Sequence, residues 1–212
     1  MTLETTRTTY HHGNARNALL RAAGDLLEHT GAAGLSLRQL AERAGLSRQA
    51  PYNHFADKET LLAELVRDGF ERLGRDTEAA GRSDAEPIVR LERAAECYIA
   101  FAQGSPALFR LMFSKELVDV SRHPAAQAAA SASFAHLTGI VGAVASPEIV
   151  ADLSLAAWSL VHGYATLCME FGLEEPERRR ARAVLFAGML ASAAVQRDHA
   201  IKGAAFPPQR PY

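Results

Sequence analysis

The chain has 212 residues, 48% of them hydrophobic and 22% charged, with a formal net charge of −1 and an isoelectric point near 6.7. That supplies apolar mass for one large or two small cores. It excludes a disordered polar chain and the overall basic charge common among nucleic-acid binders, so any DNA footprint must be local. The polar opening, Thr2 to Asn14, has no signal-peptide apolar run, and no segment approaches roughly eighteen charge-free apolar residues, so a cytoplasmic protein with no membrane partner is expected.

Residues 14–29 place Leu19, Ala22, Ala23, Leu26 and Leu27 on one face, opposite Arg16, Arg21, Asp25 and Glu28, which predicts a first amphipathic helix ended by Gly31 and Gly34. Ser36 with Gln39 forms a capping box, Leu35 and Leu40 sit where a hydrophobic staple would, and Leu37, Leu40, Ala41 and Ala44 repeat at helical spacing. Gly45 is placed to close this second helix in the left-handed conformation. Ser47 can then cap a third helix, through SRQAPYNHF to Phe55, within the short turn a helix-turn-helix allows.

On that helix Arg48, Gln49, Tyr52 and Asn53 share one side, with Ala50 on the other. Their chemistry suits a DNA groove. Arg48 can chelate guanine O6 and N7, Gln49 or Asn53 can pair with adenine N6 and N7, and Tyr52 can reach a phosphate or a thymine methyl. An ordinary polar surface on a short connecting helix would have the same composition. Pro51 removes a backbone donor and crowds the Ser47 carbonyl, so the first turn should open slightly. Across residues 36–58, Arg38, Arg43, Arg48 and Lys58 outnumber Glu42 and Asp57. Asp57 is placed to cap a fourth helix that opens with Lys58, where an ammonium and free N–H groups can grip phosphate.

The stretch YHHGNARNALLRAAGDLLEHTGAAGLSLRQLAERAGLSRQAPYNHFADKETLL, residues 10 to about 62, resembles the DNA-binding domain of the TetR family of transcriptional regulators. The resemblance implies a homodimer that binds a palindromic operator on double-stranded DNA and releases it when a small-molecule effector enters a carboxy-terminal domain. It also implies base and groove contacts from Arg48, Gln49, Tyr52 and Asn53, and phosphate contacts from Ser36, Tyr52, His54 and Lys58, with Arg38 adding local positive charge. Pro51 departs from the leucine commonest there, which bears on docking geometry.

From Asp57 a long helix passes Leu61, Leu62, Leu65, Val66, Phe70 and Leu73, and Gly81 and Pro87 mark a domain connection. A helix from Ile88 through Phe101 ends at Gly104-Ser105-Pro106, and a short aromatic segment follows to Phe113. His123-Pro124 opens an alanine-rich helix to about Val144, Pro147 opens another to about Phe171, and Pro176 precedes the last, about Glu177 to His199. The tail GAAFPPQRPY is Pro-rich and expected to fray. No strand alternation occurs.

Tyr98, Phe101, Phe109, Met112, Phe113, Phe134, Trp158 and His162 are the candidate lining of an apolar ligand cavity, although for any one of the aromatics core packing is the commoner role. WSLVHG, containing Trp158, His162 and Gly163, resembles the motif of a TetR branch named for its Trp-His-Gly signature. Ala156, Ala157, Leu160, Gly163, Ala165 and Leu167 on one long helix, and Leu185, Ala187, Gly188, Leu190, Ala191 and Ala194 on the other, suggest a four-helix homodimer interface through the last two helices. Cys97 and Cys168 lie outside any CxxC spacing, so inert thiols are expected, with no zinc site. No cofactor motif is present.

The expectation is an all-α regulator, with a helix-turn-helix DNA-binding domain at 10–56, a connecting helix at 57–80 and a ligand-binding and dimerisation domain at 84–200. The alternatives are a DNA-bound structural or division-control protein without a small-molecule ligand, and an all-α enzyme using His162 with His136 or Cys168. The enzyme alternative lacks paired carboxylates, a nucleophile elbow and a phosphate loop.

Overall fold

A computed structural model describes the backbone of residues 12–82, 84–172 and 178–204, and the side chains from 15 to 197 within those ranges. Among the described residues all regular structure is helical, in eight α-helices and two short 3₁₀ turns. Helix α1 (His12–Gly34) buries Leu19, Leu20, Ala22, Ala23 and Leu27 and breaks at Gly31, whose φ of 68° falls in the left-handed region. Helix α2 (Leu37–Arg43) starts where expected: the Ser36 hydroxyl accepts the Gln39 N–H at 3.2 Å and donates to Gln39 Oε1 at 2.8 Å. Its end is a Schellman closure. Gly45 takes φ 65°, the Leu46 N–H reaches the Ala41 carbonyl at 2.9 Å, and the Gly45 N–H donates to Glu42 at 3.3 Å.

The third helix is a correction. In place of an α-helix from Ser47 there is a turn at 48–50 and a 3₁₀ turn at Pro51–Asn53. Pro51 has no N–H to reach back to the Ser47 carbonyl, and that carbonyl instead accepts from Ala50 at 3.0 Å, three residues on. The Asn53 and His54 N–H groups continue the same tight pattern onto Ala50 and Pro51. Where the sequence led to a slightly opened first turn, the whole stretch from Arg48 to Asn53 is wound tighter than an α-helix, and the Pro51 ring is fully buried beneath it.

Helix α3 (Lys58–Gly81), capped by Asp57 accepting the Thr60 N–H at 2.7 Å, is the central spine. Its 24 residues extend about 36 Å. It buries Leu61, Leu62, Leu65, Val66, Phe70 and Leu73, and packs on α1, on α4 (Pro87–Gly104), on α5 (Pro106–Met112) and on α6 (Pro124–Val141). The expected helix to Val144 therefore stops three residues early. Helix α7 (Val150–Phe171) begins later than its proline, and α8 spans Arg179–Ala204. That helix runs past the expected end near His199 and takes in Gly203 and Ala204, the first two residues of the tail expected to fray; Pro176 and the rest of the tail lie outside the described residues.

One apolar cluster joins the head to the body, running from Leu19, Leu40 and Phe55 through Leu61 and Val66 to Ile99, Phe109 and Val161. Polar ties reinforce it. The Glu28 carboxylate of α1 accepts the Ala107 and Leu108 N–H groups at the start of α5, both at 3.0 Å, from nearly eighty residues away. Glu59 at the start of α3 pairs with Arg122 and His123, each at 3.2 Å. The Arg72 guanidinium donates to Ser105 Oγ at 2.6 Å and lies 4.4 Å from the Phe101 ring centroid.

Candidate DNA-binding face and ligand cavity

The turn at 48–54 has two chemically distinct sides. Ala50, Pro51 and Phe55 are buried, while Arg48, Gln49, Tyr52 and Asn53 are exposed, Tyr52 at 54%. An exposed tyrosine thus stands beside three exposed polar side chains over a buried apolar seam. His54 is half-buried, edge-on to Phe55. Arg38 is exposed and bonded to Glu42 at 3.2 Å, and Arg43 pairs loosely with Asp25 at 3.9 Å. Arg48 has no ion-pair partner among the described residues, so its guanidinium is available. The Lys58 ammonium donates to the Ala33 carbonyl at 3.2 Å, which holds it beside the α1–α2 connection. The Asp57 carboxyl is held below its usual range by its bond from the Thr60 N–H, with Arg122 and His123 adding attraction.

In the body, helices α3 to α8 line a cavity of about 540 Å³ that is partly open to the surface. Of the eight residues expected there, Tyr98, Met112, Phe113, Phe134 and Trp158 line it; Phe101, Phe109 and His162 do not. Phe101 turns toward α3 beneath Arg72. Phe109 and His162 form a second layer, stacked at 5.2 Å behind Tyr98 and Phe113. Sequence reasoning missed the aliphatic wall, including Leu91, Leu137, Leu155 and Leu190, because such residues on a helix face look like any core stripe.

Tyr98 links the two layers. Its hydroxyl accepts the Trp158 indole N–H at 3.2 Å and lies 2.7 Å from His162 Nδ1. The indole can only donate, so the phenol oxygen accepts from it; giving the phenol O–H to His162 Nδ1 pairs all three groups, and on that basis the imidazole is assigned as neutral with its proton on Nε2. Burial acts the same way on both groups: it raises the Tyr98 phenol well above its ordinary value and lowers His162, so both stay uncharged. The enzyme alternative joined His162 to His136 or Cys168, whereas its Nδ1 partner is Tyr98. Burial also raises the half-buried Cys97 thiol, with Asp76 and Glu96 adding to it, which favours the protonated form. Among the described residues no three His, Cys, Asp or Glu side chains group as metal ligands, and no helix is long and apolar enough to cross a membrane.

On α7 and α8 the small residues expected at a dimer face divide. Ala157, Ala165, Ala187, Leu190 and Ala194 are buried within the chain's own core. Ala156, Gly163, Leu167, Leu185 and Gly188 face outward, together with Leu155, Phe171, Val184, Met189 and Val195. Helical periodicity sends neighbouring alanines to opposite faces, so composition could not separate them.

A helix-turn-helix head joined through a long helix to an all-helical body with an apolar cavity defines the class: a DNA-binding regulator of transcription. Two family models match, one described as bacterial regulatory proteins, tetR family, over residues 19–65, and one as tetracyclin repressor-like, C-terminal domain, over residues 91–193. The chain belongs to the TetR family. The nucleoid occlusion factor SlmA of Aliivibrio fischeri is 31% identical over 110 residues, 50% of this chain and 54% of that protein. The class A tetracycline repressor from transposon 1721 of Escherichia coli is 49% identical over 50 residues, 24% of this chain and 23% of that one. The chain thus spans about half the length, or less, of these curated relatives. A solved structure of a protein with unknown function from Rhodococcus sp. RHA1 aligns over 87% of this chain and 100% of its own, at 31% identity and a TM-score of 0.73.

Proposed function

We propose that this chain is a repressor that binds a palindromic operator as a homodimer and leaves it when a small apolar effector fills the body cavity. The observation that carries the reading is the exposed quartet Arg48, Gln49, Tyr52 and Asn53 held over the buried Ala50–Pro51–Phe55 seam. In this reading the quartet reads base edges, while Ser36, Arg38, His54 and Lys58 contact the phosphate backbone. Residues 10–56 form the DNA-binding unit, 57–80 the connection, and 84–200 the effector and dimer unit. The outward apolar residues of α7 and α8, with Phe171 71% exposed, support a twofold contact there.

Effector binding would act through Met112 and Phe113 at the end of α5, since the opposite end of α5 rests on Glu28 of α1. Tilting the heads breaks the match to half-sites about 34–36 Å apart. Selection of bound sequences from random DNA by the purified protein tests the reading: a palindrome is expected, and recovery of unrelated sequences refutes it. Gln49→Ala should relax preference at one position, whereas Lys58→Ala should weaken all sequences and lower the salt slope by about one. Equal loss on cognate and scrambled DNA for Gln49→Ala removes its base-reading role. The match to a nucleoid occlusion factor over half of the chain fits in part a second reading, a DNA-bound structural or division-control protein without a small-molecule ligand. Broad DNA binding together with a ligand screen that never shifts the unfolding temperature would favour it.

A further inference from the structure

We infer that the body cavity selects uncharged, ring-bearing molecules and rejects the same skeleton once it carries an anion. This rests on the reading of the cavity as the effector site and narrows the chemical class of the effector. Among the described residues, none of those lining the cavity is Asp, Glu, Lys, Arg or His. An ionised group drawn inside would meet no countercharge, and an unpaired buried charge costs several kcal/mol in proteins.

The polar groups that do face the space are already committed or weak. The Trp158 indole N–H is donated to Tyr98, the Tyr98 O–H is directed at His162, and Thr77 Oγ1 donates to the Leu73 carbonyl at 2.9 Å. No donor of these three is left for a carboxylate, sulfonate or phosphate. The hydroxyls of Ser131 and Ser133 on α6 remain; each can donate one neutral hydrogen bond, enough to satisfy a ketone, ester or alcohol but no substitute for the countercharge an anion needs. Trp158 meets the rings of Phe113 and Phe134 at centroid distances of 6.1 and 5.8 Å, so three aromatic rings border the space where a flat guest can pack against them.

Two fluorescent probes with one skeleton test the selection: neutral N-phenyl-1-naphthylamine and its sulfonated relative 8-anilinonaphthalene-1-sulfonate, whose sulfonate cannot escape its charge by taking up a proton. Titrated into the full chain, the neutral probe should bind once per chain with a Kd at least tenfold below that of the sulfonate. Ala130→Trp, which fills the cavity from α6, should abolish the neutral probe's site. Ser131→Arg, at an exposed wall position, should fold regardless and move the preference toward the sulfonate by about tenfold, as a charge-assisted contact allows. Equal or tighter binding of the sulfonate to the wild type overturns the inference, as does unchanged preference in Ser131→Arg. Failure to recover a palindromic operator would refute the regulator reading and leave this preference standing, so the two outcomes are separable.

Discussion

Replacing Tyr98 by Phe tests the polar link behind the cavity. The ring and its edge-on contact with Phe109 at 5.6 Å survive, and one oxygen is lost. That oxygen serves two partners, so the deletion strands the Trp158 N–H and His162 Nδ1 together. The two bonds are unequal: at 2.7 Å the histidine bond is the stronger, and at 3.2 Å the indole bond is near the long end of the range. An orphaned buried donor or acceptor costs about 1–3 kcal/mol, and because His162 is half-buried, water recovers part of its share. The expected loss for the pair is therefore about 1–3 kcal/mol, or about 2–4 °C of Tm per kcal/mol for a chain of this length. Urea unfolding at fixed protein concentration, followed by the fluorescence of Trp158, the single tryptophan, measures it directly. A variant within about 0.5 kcal/mol of wild type, or a more stable one, would refute the network and the tautomer assigned from it.

Burial holds His162 below its ordinary 6.5, so below that pH the unfolded chain binds more protons than the native one. Stability should be complete above about pH 6.5 and fall as pH drops toward the lowered native value. His162→Asn, whose amide oxygen can accept the Tyr98 O–H, should flatten that slope in pH-dependent unfolding. Gly69→Ala would place a Cβ 2.6 Å from Met112 Sδ; the flexible thioether should swing toward the cavity at about 1 kcal/mol, and titration should show weaker uptake of N-phenyl-1-naphthylamine. Glu28→Gln keeps the size of the side chain, removes its charge and exchanges one of its two acceptor oxygens for an NH2 group, so only one of the Ala107 and Leu108 N–H groups keeps its partner and the other turns to water. Unfolding should show a loss of about 0.3–1 kcal/mol at low salt that shrinks at high salt, since this contact is exposed.

What could be read from the sequence was local. Ser36, Gln39, Gly45 and Asp57 fix helix ends through partners within five residues, and the same short range put Arg48, Gln49, Tyr52 and Asn53 on one side and Ala50 on the other. Pro51 announced a departure from helical bonding. The extent of that departure, and the burial of the ring beneath it, only packing decides. The cavity shows the same division. Its aromatic members stood out by residue type, but whether Phe101 or Phe113 faced the space depended on the neighbour that each helix met, and the aliphatic wall carried no mark at all. The alanines of α7 and α8 were legible as small, while tertiary contact decided which were core and which were surface. Glu28 on α5, and Tyr98 on His162, join residues more than sixty positions apart. No spacing rule reaches that far, because such pairs exist only once the helices between them have packed.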